Sequence, residues 1–75
     1  MNTGLDAVLQ TIYEETKHGS HSFVTMRSLE IELGISGYEL RNIIEDLKTG
    51  CMIHEHEEGL RITPSGFIEC RSRWA

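Results

Sequence analysis

The sequence lacks several features that define other classes of protein. Its 75 residues include one proline and two cysteines, and no apolar run exceeds three residues. A membrane span needs roughly 20 apolar residues in a row, so we expect none. No CxxC or similar spacing is present, and a structural zinc site is therefore not expected. Cations are also scarce: seven Lys and Arg stand against twelve Asp and Glu, for a net charge of −5.

The remaining composition is that of a small globular domain, with 39% hydrophobic and 25% charged residues. A chain of this length should form one domain over residues 1–75 and bury roughly 60% of its surface. Residues 1–6 do not resemble a secretory signal, which predicts a cytoplasmic protein. In that reducing compartment Cys51 and Cys70 are predicted to be small, buried apolar residues. No residue set has the spacing of a catalytic or cofactor site, so we expect no enzyme activity and no cofactor.

Hydrophobic periodicity and capping residues predict three helices in the first two thirds of the chain. The first covers residues 4–18, with apolar residues at helical spacing. After a short β-prone stretch at Phe23 and Val24, Thr25 is an N-cap for a second helix that ends at Gly34. The third helix covers residues 37–49. It starts at a capping box formed by Ser36 and Glu39.

The last third changes to a strand pattern. Residues 51–56 predict a strand, residues 57–59 a turn and residues 60–63 a returning strand. Thr63 and Pro64 then suit the N-cap and first position of a last helix. The predicted fold class is therefore mostly α with a small β hairpin, in the order α-β-α-α-β-β-α.

Three segments resemble a known family. Residues 34–36 (GIS) form the tight link of a helix-turn-helix, residues 44–53 (IEDLKTGCMI) look like the end of a recognition helix, and residues 59–66 (GLRITPSG) look like the exit from a wing. With these motifs the chain resembles the winged helix-turn-helix superfamily, including MarR- and PadR-type repressors, over nearly its whole length. The resemblance implies a small transcriptional regulator that places its third helix in the major groove of double-stranded DNA.

The resemblance also implies which residues would contact the partner. Arg41 and Asn42 have side chains suited to guanine and adenine, and the Tyr38 hydroxyl suits a phosphate. Such regulators often form homodimers, here through the first and last helices, although docking of Trp74 on its own core is the slightly favoured alternative. The implied DNA-contacting residues are Thr25, Arg27, Ser28, Ser36, Gly37, Tyr38, Arg41, Asn42 and Arg61; the implied dimer residues are Phe67, Ile68 and Trp74.

Charge supports a different function. The third helix carries three carboxylates against two cations, and the hairpin carries Glu55, Glu57 and Glu58 against Arg61 alone. Carboxylates at a wing tip would repel phosphates. The alternative is a protein-interaction domain that binds a basic partner through an acidic face and does not bind DNA.

His54 and His56 alternate along one face of the predicted first hairpin strand. Two ligands are fewer than the three or four that a protein zinc site uses. The sequence alone therefore favours solvated side chains over a metal site.

Overall fold

The computed structural model describes residues 3–19 and 22–74. The described elements are α1 (Thr3–Thr16), α2 (Met26–Leu33), α3 (Gly37–Thr49), β1 (Ile53–His56), β2 (Gly59–Ile62) and α4 (Pro64–Trp74). β1 and β2 form an antiparallel two-stranded sheet in which Ile53 lies opposite Ile62. The prediction of a mostly helical chain with a small hairpin is confirmed. Within the described ranges, no helix is long and apolar enough to cross a membrane.

One hydrophobic core joins all of these elements. From α1 it takes Val8, Leu9 and Ile12, which are at most 2% exposed and recur at the spacing of one helical face. α3 contributes four buried residues at the same kind of spacing, and β2 contributes two. The buried apolar cluster consists of Val8, Leu9, Ile12, Tyr13, Val24, Leu29, Leu40, Ile43, Ile44, Leu47, Ile53, Leu60, Ile62 and Cys70.

The chain between α3 and β1 differs from the sequence prediction. The strand begins at Ile53, because Cys51 and Met52 complete the end of α3: their N–H groups donate to the carbonyls of Lys48 and Leu47, both at 3.0 Å. Cys51 has the left-handed conformation (φ 61°) that glycine usually supplies at this position. The prediction that Cys51 is buried was wrong, since this turn leaves it exposed, whereas Cys70 is buried as predicted.

β2 is hydrogen-bonded on both of its edges. One edge pairs with β1, and on the other Leu60 exchanges two backbone hydrogen bonds with Val24, at 2.8 and 2.7 Å. The β-prone stretch at Phe23 and Val24 is thus reduced to a single bridge. A Cβ at Gly59 would lie within 2.8 Å of the Val24 carbonyl oxygen, so this close approach requires glycine.

A buried threonine satisfies the next N–H group of the same β2 edge. The Ile62 N–H donates to Thr16 Oγ1 at 3.0 Å, and that hydroxyl donates in turn to the Ile12 carbonyl at 2.7 Å. Thr16 is fully buried. It therefore links the end of α1 to the sheet by one hydroxyl that acts as both donor and acceptor.

The junction between β2 and α4 confirms the predicted cap at Thr63. Its Oγ1 accepts from the Gly66 N–H at 2.8 Å, and its backbone N–H donates to the Met52 carbonyl at 3.0 Å. Gly66 lies against that same carbonyl, and a Cβ there would overlap the Met52 oxygen. This contact holds the start of α4 against the chain that leads from α3 into β1.

We expect Gly66→Ala to lower the free energy of unfolding by about 1–3 kcal/mol, because the added methyl group overpacks the contact with Met52. Alanine is otherwise the better helix residue, so a stabilising result would contradict the contact. Urea denaturation measures the effect. Ser65→Ala, one position earlier on an exposed site, is the matched control and should change stability by less than about 0.5 kcal/mol.

We expect Thr16→Val to lower the free energy of unfolding by about 1–3 kcal/mol, because valine has a similar shape but leaves the buried Ile62 N–H without an acceptor. Thr16→Ser keeps the hydroxyl and should cost less than Thr16→Val. Hydrogen exchange at the Ile62 amide gives a local measurement: it should accelerate in the valine variant beyond what the global loss of stability explains. A Thr16→Val variant as stable as the parent would show that the hydroxyl contributes nothing.

Candidate interaction surface on α3 and the hairpin

Two hydroxyl groups that the family resemblance assigns to DNA contacts act as helix N-caps. Thr25 Oγ1 accepts from the Ser28 N–H at 3.1 Å at the start of α2, and Ser36 Oγ accepts from the Glu39 N–H at 3.2 Å at the start of α3. Gly34, between the helices, has the left-handed conformation (φ 66°). The predicted start and end points of α2 and α3 are therefore confirmed. Of the predicted capping box, the hydrogen bond accepted by Ser36 is present.

The outward stripe of α3 is polar and exposed. Tyr38, Asn42, Glu45 and Thr49 lie at spacings of three and four residues, which places them on one side of the helix. The Tyr38 residue is 84% exposed, the highest value among the large apolar or aromatic residues that the structure leaves in solvent. Within this stripe, the exposed side chains of Tyr38 and Asn42 can contact a partner. On α2, Arg27 is also exposed.

A carboxylate lies beside the first turn of α3. Both Glu30 oxygens are 3.4 Å from the position that a Cβ on Gly37 would take. The N-terminus of a helix has a positive potential that favours an anion. Glu30 therefore places the chain's own negative charge close to where a DNA phosphate would approach this helix.

The cations of α3 are held in a network with two glutamates, which we call the Glu55 network (Arg41, Glu45, Lys48 and Glu55). Arg41 Nη1 and Nη2 each donate to one oxygen of Glu55 at 3.3 Å, and Nη1 also donates to Glu45 at 3.1 Å. Lys48 Nζ lies 2.9 Å from Glu55 and 3.5 Å from Glu45. The two parallel hydrogen bonds of this fork, from the Arg41 guanidinium to the Glu55 carboxylate, link α3 to β1.

The network shifts the pKa values of Arg41, Lys48 and Glu55. Hydrogen bonds from Arg41 and then Lys48 lower the pKa of Glu55 from 4.5 to about 2. The same bonds to Glu55 raise the pKa of Arg41 and that of Lys48 above their ordinary values. Each charge is thus stabilised by the others at neutral pH.

Arg61, the cation predicted to contact DNA from the hairpin, binds the chain itself. Its Nη1 donates to the carbonyl oxygens of Gly19 at 2.7 Å and Ser22 at 3.1 Å. The guanidinium carbon also lies 5.9 Å from the centre of the Phe23 ring. Arg61 therefore links Gly19 and Ser22 to β2, a contact that the sequence pattern did not indicate.

The resulting surface has unpaired negative charge. On α3, the hairpin and their connection, the described residues include no cation without an intramolecular partner. Four carboxylates there form no ion pair with any described residue. These are Glu39, Asp46, Glu57 and Glu58. We call the exposed residues of α3 together with the Glu57–Glu58 turn the α3–hairpin surface.

The residues predicted to form a dimer contact divide into two groups. Phe67 and Trp74 pack on the core, with ring centres 5.8 and 6.5 Å from that of Tyr13. Docking of Trp74 on its own domain is thus observed, as the favoured alternative expected. Ile68, in contrast, is 69% exposed.

Comparison of the chain with models of protein families, with curated proteins and with solved structures found no match.

We expect Glu55→Gln to lower stability by about 1 kcal/mol at neutral pH, a small value because the network is largely exposed. The folded pKa of Glu55 lies below its ordinary value, so its contribution is present above about pH 4.5 and is lost as the pH falls towards 2. The difference between the parent and the variant should therefore shrink over this range. Denaturation at a series of pH values measures it.

Glu57→Gln is the matched control for this prediction, because Glu57 is exposed in the same hairpin and forms no ion pair with a described residue. It should leave the pH dependence unchanged between pH 5 and pH 2. A Glu55 carboxyl that titrates near pH 4.5 in a carbon-detected NMR experiment would show that the network does not form in solution.

Proposed function

We propose that this domain is a protein-interaction module of the winged helix-turn-helix type that binds a basic segment of a partner through its α3–hairpin surface. The element order and the α2–Gly34–α3 connection support the winged helix assignment. The observation that carries the function is the Glu55 network. It leaves α3 without a free cation, while four carboxylates on the same surface form no ion pair with any residue that the structure describes.

Three features make DNA a poor partner for this surface. A base contact by Arg41 requires it to give up its fork with Glu55 and its bond to Glu45. The Glu30 carboxylate lies beside the first turn of α3, where a DNA phosphate would approach the helix. The hairpin turn would bring Glu57 and Glu58 towards the phosphates, which costs Coulomb energy. Each of these features instead favours a cationic partner.

The side chains of this surface also indicate which chemical groups the partner should carry. Tyr38 offers an exposed aromatic ring, and arginine binds such rings through cation–π contact more often than lysine does. Asn42, one turn further along, can donate and accept hydrogen bonds. Tyrosine is enriched among the residues that contribute most of the binding energy in protein interfaces. The expected partner is therefore an arginine-containing basic segment.

A DNA-binding regulator in the cytoplasm is the second candidate. It is favoured by the exposure of Tyr38, Asn42 and Arg27, which lie where the family resemblance implies DNA contacts. On this alternative, DNA phosphates would have to compete with Glu55 for Arg41. Binding would then be weak and steeply dependent on salt.

A pair of NMR titrations separates the two functions. Labelled full-length chain is titrated with an arginine-rich peptide and, separately, with a mixed-sequence DNA duplex, both at about 50 mM salt. We expect the peptide to shift the amides of Tyr38, Asn42 and the Glu57–Glu58 turn, and the duplex to shift none of them. Shifts of these amides by the duplex, lost on addition of salt, would contradict the proposal and favour DNA binding.

Matched charge reversals test whether the peptide recognises this surface or only the net charge. Glu57→Lys with Glu58→Lys should weaken peptide binding about tenfold or more. Glu15→Lys with Glu32→Lys makes the same change in net charge at a groove between α1 and α2. It should have a clearly smaller effect. Tyr38→Ala should weaken binding about two- to fivefold through loss of the cation–π contact. Equal effects of the two double variants would rule out a specific surface.

A further inference from the structure

Two imidazoles lie side by side on the exposed strand β1. The Nδ1 atom of His54 is 3.2 Å from the Nε2 atom of His56, and the ring centres are 4.6 Å apart with the planes tilted by 42°. A head-on N–H···N hydrogen bond would hold the ring centres farther apart. The rings are therefore partly alongside one another, and both histidines are exposed residues of the strand.

This separation suits two ligands of one metal ion. Imidazole nitrogens bind zinc at about 2.0–2.1 Å, which places two of them about 2.9 Å apart at a right angle and about 3.3 Å apart at the tetrahedral angle. The observed 3.2 Å falls between these values. Neutral imidazole suits Zn²⁺, Cu²⁺ and Ni²⁺, whereas Ca²⁺ and Mg²⁺ prefer oxygen. We propose that His54 and His56 together form a binding site for a divalent transition-metal ion.

The surroundings of the pair favour such a site. An edge-on contact with the Phe23 ring, at 5.2 Å between centres, supports the His56 ring in its position. The carboxylates of Glu57 and Glu58 follow directly in the chain and raise the local concentration of cations. Arg61 lies opposite His54 in the sheet. Its Nη1 atom donates hydrogen bonds to the carbonyl oxygens of Gly19 and Ser22.

The site has two protein ligands. Among residues 3–19 and 22–74, no group of three or more His, Cys, Asp or Glu side chains is placed to hold a metal ion. The other positions on the ion are therefore open to water or to a further ligand, as in sites that exchange their ligands. The two imidazoles lie outside α3, and metal binding by them does not require the basic partner proposed above.

Isothermal titration calorimetry with Zn²⁺ tests the site. The full chain is used with Cys51→Ser in every sample, because the exposed Cys51 thiol is itself a zinc ligand. His54→Ala removes one imidazole and leaves the contact of His56 with Phe23. We expect it to weaken Zn²⁺ binding about tenfold or more, since two linked ligands bind far more tightly than one. His18→Ala, at an exposed histidine outside β1, should leave the affinity unchanged.

A second measurement follows the imidazoles directly. On addition of Zn²⁺, the ring signals of His54 and His56 should shift together in NMR spectra while those of His18 stay in place. The proposal is overturned if His54→Ala binds Zn²⁺ as tightly as the parent, or if His18→Ala weakens binding as much. Either result would mean that zinc binds to scattered side chains and not to the pair.

Discussion

The hydrogen bonding of β2 on both edges is the constraint on which the rest of the structure depends. Buried backbone N–H and C=O groups need partners, and β2 finds them in β1 on one side and in Val24 and Thr16 on the other. Two glycines allow the close backbone approaches that this arrangement contains, Gly59 at the start of β2 and Gly66 in the first turn of α4. Gly59 lets the chain at Val24 approach, and Gly66 lets α4 pack against the Met52 carbonyl. The short hairpin thereby takes one fixed position between α1, α3 and α4.

That position decides the electrostatic character of the molecule. Because β1 runs beside α3, Glu55 comes within hydrogen-bond distance of Arg41 and Lys48. The two cations that would give α3 an attraction for phosphate are used to hold the hairpin. A cation in an intramolecular ion pair can bind a partner only if the new contacts compensate for the loss of that pair. The ion pairs that join α3 to the hairpin thus leave this surface acidic.

Local signals explain why much of the fold was predictable. The starts of α2, α3 and α4 lie at Thr25, Ser36 and Thr63, where a hydroxyl accepts from the N–H three residues ahead and needs no distant partner. The end of α3 was less predictable. Gly50 indicated the stop, but Cys51 took the left-handed position because the Met52 N–H binds back to Leu47.

The sequence by itself determined the helices and their caps, the acidic net charge and the presence of two histidines at alternate positions. These depend on spacing within one element. Only the tertiary structure decided that Arg41 binds Glu55, that Arg61 binds the carbonyls of Gly19 and Ser22, and that the imidazoles of His54 and His56 approach to 3.2 Å. The physical reason is that short-range interactions between charged and polar groups depend on distances of a few ångströms. The packing of separate elements and the rotamers of neighbouring side chains set those distances.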